Sequence, residues 1–147
     1  MSKNKMIIDK YAVPFCVRHI YIIAKPIISE LNKMFYSKDS DGNKDELISK
    51  SEEDEMNSYL AYAIAGAFIK STDEPVEIIV YNRSCDEADM INTIAHESTH
   101  AAHDMLETSN IKLTKDTEEV YAYLTGYISE CFWETLKKTT NEWVWDE

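Results

Sequence analysis

The residues best placed to do chemistry lie in one stretch, Asn92-Thr93-Ile94-Ala95-His96-Glu97-Ser98-Thr99-His100-Ala101-Ala102-His103, which contains His-Glu-x-x-His. The residues on both sides read as helix, and helix positions four apart project from one face, about 6 Å apart. His96 and His100 are thereby placed to hold one metal between their imidazoles, with Glu97 about 100° round the helix beside it. This is the ligand geometry of a zinc hydrolase, in which Glu97 serves as general base. Zinc suits the set better than other metals, because two imidazoles and a carboxylate with one open position match its preferences. The bland alternative, two ordinary helix histidines, is weakened by the helical context and by the apolar back of the same helix.

A catalytic zinc usually has three protein ligands plus water. A last helix, predicted from about 116 to 138, offers Glu118 and Glu119. Its apolar stripe is Val120, Leu124, Tyr127, Ile128 and Cys131, which leaves Glu118 to solvent and Glu119 at the edge of the buried face. Ala122 and Gly126 flank the Glu119 side, small enough to let this helix approach the metal helix closely. Glu119 is therefore the preferred third ligand. His103 shares the face of His96 and His100 but sits about 10 Å along the axis from His96, too stretched for three rings to meet on one ion. A second-shell or cleft-lining role suits His103 better, and His19, in a predicted strand, reads as a core or surface residue.

Several elements must position this set. Val17 to Ala24 is β-branched and aromatic and is bounded by Pro14 and Pro26, which suits a strand. Ile27, Ile28, Leu31 and Phe35 recur at helical spacing after Pro26. Lys38 to Asp45 is a turn by composition, and its Asp-x-Asp-Gly falls short of a calcium loop, which needs a glutamate at fixed spacing and flanking helices. Asn57 to Ile69 and Val76 to Tyr81 read as a hairpin, with Gly66 at a strand bend. Ser84 and Glu87 form a capping box that opens the metal helix, expected from Asp86 to about Glu107. On that helix Met90, Ile91, Ile94, Ala101, Ala102 and Met105 make one broad apolar arc, with the histidines opposite and facing a cleft. Trp143 and Trp145 in the tail are expected to pack on the body.

The chain of 147 residues, with three glycines and three prolines, is expected to form one ordered α+β domain over 1–147, with a flexible loop at about 37–55 and a tail at about 139–147. Its net charge of −12 argues against nonspecific nucleic-acid binding, which relies on lysine and arginine to displace counterions. Cys16, Cys85 and Cys131 are odd in number and widely spaced, so a reducing cytoplasm fits better than a disulfide framework. The apolar run after the basic N-terminus is too short for a signal segment, and charges interrupt every run before it reaches a membrane span. A soluble, intracellular protein with no membrane partner is the expectation.

At the motif residues the chain resembles a zincin metallopeptidase of the gluzincin type: His-Glu-x-x-His followed by Glu-x-x-Ala, here Glu119-Val120-Tyr121-Ala122, with 18 residues between His100 and Glu119. Ile94 to Ala102 followed by Glu118 to Ile128 is more closely similar to small phage-borne zincin-like proteins of undefined substrate. The similarity covers roughly residues 9 to 130, and only the two motifs are specific. It implies a zincin-like fold, a small antiparallel or mixed sheet packed on the metal helix and on a C-terminal helix carrying the third ligand. It implies zinc held by His96, His100 and Glu119, water activated by Glu97, and a strand beside the cleft able to accept an extended peptide by strand addition. The chain departs from the family in one respect. Many gluzincins place an aspartate soon after the third ligand to orient a zinc histidine, whereas Tyr123 stands there in this chain; Asp104 or Glu118 is a substitute. Tyr123 and Tyr127 are candidates for stabilising an oxyanion.

The function these residues imply is zinc-dependent hydrolysis of a peptide or protein substrate. The alternative is a zincin-fold interaction protein, weakly active or inactive, whose acidic surface binds a basic partner. Substrate identity and oligomeric state have no signature in the sequence.

Overall fold

A computed structural model describes residues 5–139 apart from Ser84. Ten elements follow in order: β1 (Ile7–Ala12), β2 (His19–Ala24), α1 (Ile28–Met34), β3 (Phe35–Lys38), β4 (Lys44–Glu46), α2 (Glu53–Ser58), β5 (Ala61–Ile69), β6 (Pro75–Tyr81), α3 (Glu87–Thr108) and α4 (Glu118–Lys137). The strands form one six-stranded mixed sheet in the order β1-β2-β6-β5-β3-β4. Only β2 and β6 run parallel; the other pairs are antiparallel. The α+β class expected from the sequence is therefore present. Among the described residues no helix is long and apolar enough to cross a membrane.

The two central strands explain the layering. Ile20, Ile22 and Ala24 of β2 and Ile79 and Tyr81 of β6 face one core, shared with α3 and α4. Ile23 and Val76, Ile78 and Val80 face the other, capped by α1 and by Leu47 and Ile48. Covered on both faces, β6 reads as a nearly continuous apolar run rather than an alternating one.

The hairpin of β5 and β6 forms as expected, but Asn57 and Ser58 belong to α2, an element unforeseen inside the predicted loop at 37–55 and beyond. That loop also contains the β3–β4 hairpin. Its turn is closed by Asp39, whose carboxylate accepts the backbone N–H groups of Asp41 and Asn43, and by Gly42 at φ +85°. Phe35, assigned to a helix by its spacing, begins β3 instead, because the chain turns extended there and buries the ring against Tyr21. The first strand residue after Val17 is His19; Val17 itself is exposed.

Gly66 sits where the strand bend was expected. The register passes from Ile64 opposite Ile78 to Ala67 opposite Val76, so Ala65 and Gly66 bulge out opposite Glu77. Gly66 has φ +76°, a conformation that costs L residues about 1–2 kcal/mol.

Candidate active-site cleft

The helix bearing the motif begins at Glu87 with Asp86 as its N-cap; the capping role expected of Ser84 lies outside the described residues. The Asp86 carboxylate accepts the Asp89 backbone N–H at 2.8 Å and caps the first turn. From there α3 runs unbroken to Thr108. Met90, Ala101, Ala102, Met105 and Leu106 are buried against the sheet and α4. Ile91 departs from the expected arc. It is 66% exposed, beside a shallow groove it shares with Met90, Ile94 and Trp133.

On the opposite face His96 and His100 meet, Nε2 to Nε2 at 3.2 Å. Two imidazole nitrogens on one tetrahedral zinc, each at about 2.0–2.1 Å, stand about 3.3 Å apart. The pair therefore fits a shared zinc. The His96 ring is 62% exposed and open to a ligand. Glu97 lies beside it, with a carboxylate oxygen 3.9 Å from His96 Nε2, and the residue is only 9% exposed. Burial pushes its carboxyl above the ordinary range, while His96, His100 and the Ala63 backbone N–H pull the other way. A carboxylate raised by burial yet held ionisable is suited to accept a proton.

These side chains line a cleft of about 500 Å³ between α3 and β5. Ala61, Ala63 and Ala65 keep its β5 wall low. β3 pairs with β5 only at Phe68 and Ile69, so no strand pairs with the outer edge of Ala61 to Ala65 among the described residues. Apart from the Ala63 N–H, which Glu97 accepts, backbone groups along that edge have no strand partner among the described residues and can take an added strand.

Glu119 is not brought to the histidines. It is exposed in the first turn of α4, and among the described residues no three His, Cys, Asp or Glu side chains gather to hold a metal. The physical reason is the rotation of α4. Its buried face is Tyr121, Leu124, Ile128, Cys131, Phe132 and Leu136, whereas Val120 and Tyr127 are only partly buried. With the stripe centred on Tyr121 and Ile128, Glu119 stands on the far side of the helix. Gly126 and Ala122 are likewise exposed, and a Cβ on Gly126 would meet nothing within 4 Å. They do not form the seam with α3. Glu118 is exposed, as expected.

The remaining candidates have other partners. His103 packs edge-on against Tyr121, with ring centroids 4.8 Å apart. Tyr127 donates to the Ala12 carbonyl at 3.0 Å, and Tyr123 lies edge-on to Phe15. The tyrosines that line the cleft are instead Tyr59 and Tyr62. His19 opens β2, half-buried, away from the histidine pair.

The sequence reading missed a second charged group in the cleft. Glu77 of β6 is 1% exposed and faces α3, and Asp104, one turn after His100, faces it. Arg18 Nη1 lies 3.9 Å from Glu77 Oε1 and 3.9 Å from Asp104 Oδ2. Burial, with Asp104 as second cause, pushes the Glu77 carboxyl up to about 10 against the pull of Arg18. A signal for it existed: Glu77 is the one charged residue between Val76 and Tyr81.

This burial has a consequence for stability. Above the unfolded carboxyl's ordinary 4.5, the folded chain keeps a proton on Glu77 that the unfolded chain releases, so this group's contribution falls as pH rises towards 10. Glu77→Gln removes that penalty. Denaturant titrations are expected to show a gain of at least about 1.4 kcal/mol near pH 8, the equivalent of one pKa unit, and a smaller gain near pH 5. A gain equal at the two values would show that Glu77 is ionised in the fold.

No family model, no curated protein and no solved structure matches this chain.

Proposed function

We propose that the chain is a zinc-dependent peptidase of the zincin type, with His96 and His100 as metal ligands, Glu119 as the third ligand and Glu97 as general base. The observation that carries this reading is the 3.2 Å separation of the two Nε2 atoms beside a buried carboxylate, in an open cleft. When bound there, zinc supplies Lewis acidity, acidifying a water and polarising a carbonyl oxygen. Glu97 takes the proton of the attacking water and returns it to the leaving amine. The open edge of Ala61 to Ala65 aligns an extended peptide by backbone hydrogen bonds, holding its carbonyl over the histidines. Glu119 is exposed on α4 and apart from the histidines, so its place in the set rests on the sequence pattern alone.

Metal analysis of the full chain after zinc loading tests the ligand set. About one equivalent is expected, with a raised melting temperature by mass action. His100→Ala is expected to weaken zinc by at least about tenfold. Less than about a tenth of an equivalent in the parent protein would end the reading, given the affinities of structural zinc sites. Zinc affinity unaltered by Glu119→Ala would remove Glu119 from the ligands.

The exposed position of Glu119 favours one second reading, a zincin-type scaffold that binds a basic partner through its net charge of −12. That partner is captured at low salt, released at high salt, and indifferent to Glu97→Gln.

A further inference from the structure

The peptidase reading leaves part of the cleft without a task. Beyond His100 the cleft is lined by Glu77 and Asp104 and, beside Glu77 in the sheet, by Ala65 of the bulge; Ala65 and its neighbour Gly66 are both small and both exposed. Glu77 Oε1 and Asp104 Oδ2 are fully buried and accept from no donor elsewhere among the described residues; the two carboxyl groups meet each other, with the Glu77 proton between them. Among the described residues the one cation paired with them, Arg18, stands 3.9 Å from each, within ion-pair range but beyond hydrogen-bonding reach. Two carboxylates thus share a single distant guanidinium. With both ionised the cluster is one positive charge short, and in the free protein a proton on Glu77 makes up the difference. A ligand cation that takes the place of this proton lets both carboxyls ionise and gains charge-assisted hydrogen bonds to them.

We propose that Glu77 and Asp104 form a subsite for a cationic side chain of the substrate, arginine or lysine, one residue or two along the peptide from the bond held at the histidines. The stem of such a side chain extends along the small residues of the bulge, and its charged end takes the place of the proton between the two carboxyl groups, which passes to solvent. Arg18 stays in place as the counter-charge that lets both carboxylates ionise together. Neutral side chains of equal length cannot replace the proton and are rejected on that account. The substrate class is then a peptide with a basic residue next to its cleavage site. This rests on the peptidase reading for the peptide, but not for the subsite itself.

Binding of two small probes to the full chain, Nα-acetyl-arginine amide and its neutral isostere Nα-acetyl-citrulline amide, tests the subsite by calorimetry or chemical-shift titration. The arginine amide is expected to bind at least about tenfold more tightly. Asp104→Asn and Glu77→Gln are each expected to reduce that ratio towards one, with circular dichroism and the melting curve reporting whether each variant is folded. Equal binding of the two probes to the parent protein overturns the proposal without recourse to any variant. A preference that survives in both folded variants overturns it as well. Hydrolysis plays no part in this readout. A chain that selects the arginine amide yet cleaves no peptide keeps the subsite and loses the peptidase, whereas cleavage without the preference does the reverse.

Discussion

Glu97→Gln is expected to lower kcat on any peptide substrate by about 100-fold to 10,000-fold, the usual contribution of a positioned general base. The exchange is close to isosteric in a residue only 9% exposed, so the wall of the cleft keeps its shape. An amide oxygen still accepts from the Ala63 backbone N–H, but no side-chain atom takes a proton at neutral pH. Zinc content is expected to remain at the parent level, since His96 and His100 are untouched. Loss of rate with metal retained separates a chemical role from a structural one. A rate unchanged by the exchange would dismiss Glu97 as the base, and metal lost along with the rate would make it a ligand.

The second large effect lies in the core. Phe132→Ala is expected to cost about 3–5 kcal/mol in denaturant unfolding, the range for deleting a buried aromatic ring. Phe132 is fully buried on α4 and meets Tyr81 of β6 edge-on, with centroids 5.9 Å apart. This contact ties α4 to the sheet at the end away from Glu119. At the same end Asp9 accepts from Thr135 at 2.8 Å and from Lys138 at 2.6 Å. A loss below about 1.5 kcal/mol, typical of a site that collapses or is solvated, would show that α4 is not anchored through this ring.

His96, Glu97 and His100 were found because four-residue spacing on a helix is a local property, and α3 is long and uninterrupted. Gly66 and the β5–β6 hairpin were found for the same reason, since turn and bend chemistry is written in neighbouring residues. Phe35 was misassigned because the apolar spacing of a short helix continued by coincidence into a strand. The rotation of α4 was misjudged because Val120, Tyr121, Tyr127 and Phe132 are all apolar enough to be buried, and only the packing partners decide which are. The cluster joins Arg18, just ahead of β2, to Glu77 of β6 and Asp104 of α3, remote in sequence, and no local pattern encodes such a meeting.

The parallel pairing of β2 with β6 carries a consequence for how the molecule assembles. His19 lies opposite Val76, so this pairing closes a loop that contains α1, the β3–β4 hairpin, α2 and β5. Closure of a long loop costs entropy before any contact rewards it, which makes such sheets slow to form. The low wall of the cleft lies inside that loop, and the histidine helix follows directly after β6. Both walls of the cleft, β5 and α3, nevertheless belong to one contiguous stretch around β6, whereas Arg18, which faces Glu77 and Asp104 at the cleft floor, precedes β2 and arrives only when the long loop closes. The shape of the cleft is thus a matter of neighbours in the chain, and the charge at its floor waits on the longest-range strand pairing.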